Sequence, residues 1–176
     1  MKWEVGVYVG LVAMACTVLP SSLAAQIPRE IKVEDSEFDR EAKLEGPTRQ
    51  AGKHVYWLRS RIDKRNGLDR QTLLIGLNSD DPAPLKVSEV AMDNGTALAI
   101  GAAGVPVKNC PKTGPCIYLN VFAIDVSGNL LWSRMMDGFK VRLRGANIQP
   151  IIIEINKHAI ELQVKATEEF KKKIGR

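Results

Sequence analysis

The dipeptide Asn66-Gly67 stands between two alternating runs within residues 55–77, and it constrains the fold more than any other feature of the chain. Asn-Gly is the strongest short signal for a two-residue type I′ hairpin turn, because both residues tolerate positive φ. Such a turn sets a register in which Leu58 faces Ile75, Tyr56 faces Leu77 and Ser60 faces Leu73, making one face largely apolar. On the other face it brings Asp63 to Arg70 and lays Trp57 over Gly76. The hydrophobic pattern and the turn chemistry agree on which side is buried.

More strands are expected downstream. Asn94-Gly95 predicts a second hairpin, with residues 85–92 before it and 96–100 after it, and Gly101 and Gly104 predict irregular backbone there. Residues 116–126 read as a central strand covered on both faces, with Ile117, Leu119 and Val121 on one side and Tyr118, Phe122 and Ile124 on the other. A short helix over 129–137 follows, capped by Ser127 or Asn129 and stopped by Gly138. Phe139, Val141 and Leu143 then alternate with Lys140, Arg142 and Arg144 as a half-exposed strand. Gly145-Ala-Asn147 turns the chain into a strand over 151–155, with Pro150 at its start. Asn156 caps a last helix whose apolar face is Ala159, Leu162, Ala166, Phe170 and Ile174, flanked by Ile160 and Val164. Glu161–Lys165 and Glu168–Lys172 are favourable pairs on its polar side. The fold class is mostly β: an antiparallel β-sandwich-like domain with a short helix and an amphipathic C-terminal helix.

The chain divides into three parts. Residues 1–25 pair Lys2 with an apolar run, a Pro20 breaker and small residues ending at Ala25, the pattern of a cleavable signal peptide. The apolar run is shorter than the roughly 20 residues a bilayer span needs. Ala13-Met14-Ala15-Cys16 offers a rival reading in which Cys16 is lipidated and anchors the protein to a membrane; simple cleavage is the preferred one. Residues 26–52 are polar and read as an extended N-terminal arm, with ordered structure beginning near His54. Residues 53–176 form a single β-rich domain. The remaining cysteines, Cys110 and Cys116, flank Pro111-Lys-Thr-Gly-Pro115, a turn-forming stretch. In an oxidising compartment this pair is expected to be a structural disulfide. A redox pair would call for closer spacing and a helix N-terminus.

The layout Glu45-Gly-Pro47, Tyr56-Trp-Leu-Arg-Ser60, Cys110-x5-Cys116-x-Tyr118 and Gly138-Phe139-Lys-Val-Arg-Leu143 resembles a group of small uncharacterised exported proteins of proteobacteria. The resemblance covers most of the chain beyond the leader and implies export and a disulfide. It implies no activity, so no functional residue is carried over. The chain departs from that group at Asn78-Ser-Asp-Asp-Pro-Ala-Pro84, where an aromatic cluster is usual.

Chemistry-bearing residues are sparse. His54 and His158 are the only histidines, and neither aligns with a nucleophile and an orienting carboxylate. Asp80-Asp81 and Asp93-Asn94 read as polar turns rather than calcium ligands, and no metal or cofactor is expected. Trp57 and Trp132 read as core or edge packing. The net charge of +5 is too small to indicate nucleic acid, and removing residues 1–25 leaves it unchanged, since one Lys and one Glu depart together. Lys140, Arg142 and Arg144 line one strand face, and Lys171-Lys-Lys173 with Arg176 ends the chain; the three strand residues are the candidate contact for an anionic surface. The leading expectation is a periplasmic or secreted, non-enzymatic binding or structural component, with an envelope protein or anionic envelope polymer as partner. Membrane association is expected only if Cys16 is lipidated. The alternatives are an envelope hydrolase whose carboxylates are assembled by folding, and an inhibitor of a secreted enzyme that inserts the 110–116 loop through Lys112 and Thr113.

Overall fold

The computed structural model describes residues 27–101 and 104–176. The expected signal peptide, its expected cleavage site and the candidate lipidation residue Cys16 lie outside the described residues. Ten strands and two helices follow one another as β1 (Lys32–Glu34), β2 (Glu41–Glu45), β3 (Arg49–Ala51), β4 (His54–Asp63), β5 (Asp69–Ser79), β6 (Val87–Met92), β7 (Val107–Asn109), β8 (Ile117–Val126), α1 (Gly128–Arg134), β9 (Phe139–Gly145), β10 (Ile148–Ile155) and α2 (Lys157–Lys173). A large curled sheet has the order β1-β2-β4-β5-β8-β7, with β3 also pairing β4, and a small sheet has the order β10-β9-β6. Every pairing is antiparallel.

The main core lies between the sheets. Tyr56, Leu58, Leu73, Ile75, Leu77, Phe122 and Ile124 from the large sheet meet Val90, Met92, Phe139, Val141, Leu143, Ile153 and Ile155 from the small one. The small sheet is too narrow to cover the β2–β4 side, and α2 covers it instead. Leu162, Ala166 and Phe170 of α2 make a second core with Ile31, Ala42, Leu44 and Ile62, while Ala159, Ile160 and Val164 join the main one. The predicted apolar face of α2 thus serves two cores at once. Its cap is as expected, with Asn156 Oδ1 accepting from the His158 backbone N–H at 2.7 Å.

Several expectations are corrected. The polar segment before His54 is not an arm, because β1, β2 and β3 lie within it and pair with the sheet, and Ala42 and Leu44 point inward, both fully buried. The first hairpin is out of its expected register by two residues. Asp63 N–H donates to Leu68 O at 2.9 Å, and Gly67 N–H donates to Asp63 O at 2.8 Å. Lys64 to Gly67 therefore form a four-residue loop in which Gly67 has positive φ and Asn66 does not. Leu58 pairs with Leu73, Tyr56 with Ile75, Ser60 with Gln71 and Trp57 with Leu74. A shift of two preserves the buried face, since side chains alternate with period two, but it changes every cross-strand partner.

The third correction concerns β8. Its inward residues Phe122, Ile124 and Val126 are buried, whereas Leu119, Val121 and Ala123 are only half-buried, because they lie on the face of the large sheet turned away from the core. The fourth concerns α2, where Lys172 pairs with Glu169 at 2.9 Å rather than with Glu168. Glu161–Lys165 forms as expected at 2.6 Å. The second Asn-Gly does reverse the chain, with Gly95 at φ 84, but its return arm makes only a bridge at Ala91–Ala97 before passing to β8 at Ile100–Ile124. Ser127 caps α1 as expected, but the helix stops at Arg134 with Met135 as its C-cap, three residues short of the expected end, and Gly138, at φ 75, closes the turn beyond it by donating to Arg134 O.

Candidate anion-binding face

The observed register of β4 sets up a distinctive charge arrangement on its exposed face. In the observed pairing Arg61 on β4 stands directly opposite Arg70 on β5, and Lys43 on β2 stands opposite Arg61 on its other side. Three adjacent strands thus present a row of cations on the outer face of the large sheet, away from the core. Directly opposed residues have Cβ atoms about 5 Å apart, and like charges so placed repel. The expected ion pair of Arg70 with Asp63 does not form, because Asp63 Oδ2 accepts from Arg40 Nε at 2.8 Å and from the Arg40 terminal nitrogen at 2.6 Å. The Arg40 hydrogen bond, supported by the Arg65 backbone N–H, holds the Asp63 carboxyl below its usual range.

Two neighbouring cations on β2 and β4 are neutralised in this way. Arg59 pairs with Glu45 at 3.1 Å and Lys43 reaches Glu34 at 3.7 Å. Among the described residues no carboxylate comes within 4.0 Å of Arg61 or Arg70. Both arginines are exposed and line a surface cavity of about 380 Å³ together with Arg40, Glu41, Asp63 and Asn66. Asn66 Oδ1 is occupied by the Leu68 backbone N–H at 3.0 Å, so its amide NH2 remains as a neutral donor. Two planar guanidinium groups and an amide are suited to the oxygens of a phosphate or carboxylate, which arginine engages through paired N–H donors. Sequence reading missed this pair because the two-residue turn had given Arg70 a carboxylate. The signal that would have found it is the loop Lys64-Arg65-Asn66-Gly67 read with one left-handed residue instead of two.

Lys140, Arg142 and Arg144 share the outer face of the small sheet, as their alternation requires. Acids are interleaved with them: Glu154 stands opposite Lys140, Glu89 stands opposite Arg144, and Glu89 also approaches Arg142 at 3.5 Å. This face is therefore closer to charge balance than the Arg61–Arg70 row. No protein-family model, curated protein or solved structure matches the chain.

Cys110 and Cys116 are joined in a disulfide that closes the exposed end of the β7–β8 hairpin, with Lys112 and Thr113 exposed at its tip. Asp80 and Asp81 lie in the β5–β6 connection, where Asp81 Oδ1 accepts from the Ala83 backbone N–H at 2.8 Å as a turn. Among the described residues no group of three His, Cys, Asp or Glu side chains is placed to hold a metal ion, and no helix is long and apolar enough to cross a membrane. Carboxylates converge at two places: Glu41 stands opposite Asp63, whose Oδ2 is taken by Arg40, and a second pair surrounds Lys171. Asp69 and Glu168 both contact Lys171, whose ammonium is disfavoured by burial but held above its ordinary range by the Asp69 hydrogen bond and the two negative charges. With the ammonium between them and side chains 17% and 40% exposed, neither is the dry acid that glycoside hydrolysis requires.

His54 is buried at the end of β4, and its Nδ1 accepts from the Asn78 backbone N–H at 3.2 Å. Burial, followed by the charge of Lys53, lowers its pKa from the ordinary 6.5. The folded state therefore resists a proton that the unfolded chain takes up as pH falls below about 6.5. Stability is fully present above that value and declines as pH falls from it towards the lowered folded value, then levels off. Urea midpoints measured from pH 7.5 down to about pH 5 should fall in this window. In His54→Asn, whose amide oxygen can accept the same N–H, that part of the decline should disappear.

Proposed function

We propose that the chain is an exported component of the bacterial envelope, periplasmic or secreted, that acts by binding rather than by catalysis. The export part of this reading rests on the leader pattern at residues 1–25, the cysteine pair and the likeness to small exported proteins of proteobacteria. The binding part rests on one observation, the exposed Arg61–Arg70 pair, which stands opposed across two strands with no carboxylate within ion-pair reach. Unrelieved repulsion between two positioned guanidinium groups is a standing preference for an anion. The partner is accordingly an anionic envelope polymer or the acidic surface of an envelope protein.

Titration of the chain lacking residues 1–25 with polyphosphate and with polyglutamate tests this reading. Binding is expected to weaken as salt is raised from low to physiological concentration. Arg61→Glu with Arg70→Glu should weaken it by roughly a hundredfold or more, since each of the two charge-assisted contacts is worth about 1.5 kcal/mol or more. Lys140→Glu with Arg144→Glu should cost less, because Glu154 and Glu89 already offset those cations. Equal affinity for the chain and its Arg61/Arg70 variant would remove this face from consideration. A larger loss at Lys140 and Arg144 would transfer the role to the small sheet.

A further inference from the structure

A second site stands apart from the arginine row, at the junction of α1, α2 and the start of β5. Here a cavity of about 240 Å³ is lined by Asp69, Gln71, Asn129, Trp132, Glu168 and Lys171, among others. Trp132 is 52% exposed, which excludes the core and leaves about half of its surface open. It is nevertheless held in place: its neighbour Leu131 is fully buried, and the Ser127 side chain caps the helix that carries both. An indole half in solvent beside a polar cavity leaves aromatic surface open to a ligand.

The polar wall is fixed from behind. Gln71, 6% exposed, accepts from the Ser60 hydroxyl at 2.6 Å and donates to Asp69 Oδ2 at 2.7 Å. Ser60 in turn receives a hydrogen bond from Gln163 at 2.6 Å and lies 2.8 Å from the Thr167 hydroxyl. Gln163 also donates to Leu44 O at 3.1 Å, and Thr167 donates to Gln163 O at 2.8 Å. A buried network of this kind locks the rotamers of the groups it ends on. Asp69, pinned by Gln71 on one side and Lys171 on the other, is presented to the cavity in one orientation.

We infer that this cavity binds a sugar ring of an uncharged glycan, stacked on Trp132. A sugar ring has one face of C–H groups, which suits the indole, and an edge of hydroxyls that both donate and accept. The wall supplies matching groups of both kinds: carboxylate acceptors at Asp69 and Glu168, and donors at Lys171 and Asn129. Here two carboxylates outnumber the single ammonium, whereas at the Arg61–Arg70 cavity three arginines outnumber two carboxylates, so this wall disfavours phosphate-bearing ligands such as nucleotides. The cavity is smaller than the roughly 300–1,000 Å³ of sites for larger ligands, and one ring fits that limit. The site is independent of the Arg61–Arg70 reading, since the two rest on different residues and different chemistry.

Indole fluorescence of the chain lacking residues 1–25 tests the inference, with a panel of neutral gluco-, cello- and chito-oligosaccharides. Trp57→Phe removes the only other indole outside the leader and leaves Trp132 as reporter. At least one oligosaccharide should shift or quench that signal. Trp132→Ala should weaken the same binding by roughly tenfold, read by calorimetry, and Trp132→Phe should restore part of it. Unchanged near-native unfolding midpoints in both variants would show that a half-exposed side chain was replaced without loss of fold. The inference is overturned if no member of the panel perturbs Trp132, if Trp132→Ala binds as tightly, or if a nucleotide produces the larger response.

Discussion

Gly145→Ala should destabilise the fold by about 3 kcal/mol or more, because overpacking against backbone has no cheap relief. Gly145 ends β9, where it pairs with Ile148 of β10 and Val87 of β6 at once. A methyl group built there overlaps the Lys86 carbonyl oxygen and crowds the Val87 Cα at 3.1 Å. Both neighbours are backbone, and moving them means undoing the β6–β9 pairing on which the small sheet depends. At Gly76 the contrast is instructive: an added Cβ meets Leu119 Cδ1 and Val55 Cγ2 at 2.7 Å, and these are side-chain ends that can rotate away. Gly95→Ala is the control, since Gly95 has open space around it and only its φ of 84 to contend with. It should cost about 1 kcal/mol, the ordinary cost of left-handed backbone in alanine. Urea unfolding of both variants measures the difference, and comparable midpoints would refute the backbone-overlap argument.

Phe170→Ala should cost about 3–5 kcal/mol, the range for emptying a fully buried aromatic site. Phe170 is fully buried in the second core, against residues that include Leu44, Ile62 and Ala166. The loss should be regional before it is global. Amide exchange in β1 and β2 should accelerate first, since α2 is what covers them, while β5 and β8 keep their protection from the main core. If β2 amides exchange no faster in the variant than in the parent chain, α2 does not hold the N-terminal strands.

What could be read from the sequence depended on how much local text each element contains. Helix α2 was legible because it repeats its apolar period across 17 residues and carries an Asn cap. The existence and buried face of the β4–β5 hairpin were legible because both runs alternate, but their register hung on one loop. Asn-Gly invites a two-residue turn with two left-handed residues, and the chain uses four residues with one. Strands β1 to β3 were hidden because three to five residues bearing one or two apolar side chains look like polar linker. Their order comes from β4 and α2, which are distant in sequence. The candidate sites failed to show for related reasons. The Arg61–Arg70 opposition is a product of register, and Trp132 announces itself only by its exposure, a tertiary property.

The covering of β2 by α2 also has a consequence in time. Gln163 reaches back to Leu44 across a sequence separation of 119, and Arg176 to Arg65 across 111. Contacts this distant in sequence close late and slow folding. A chain that emerges N-terminus first has its opening strands waiting, with Ala42 and Leu44 uncovered, until the final helix is released. These strands are thus made before the helix that seals them, and their uncovered apolar side chains are what a holding chaperone recognises.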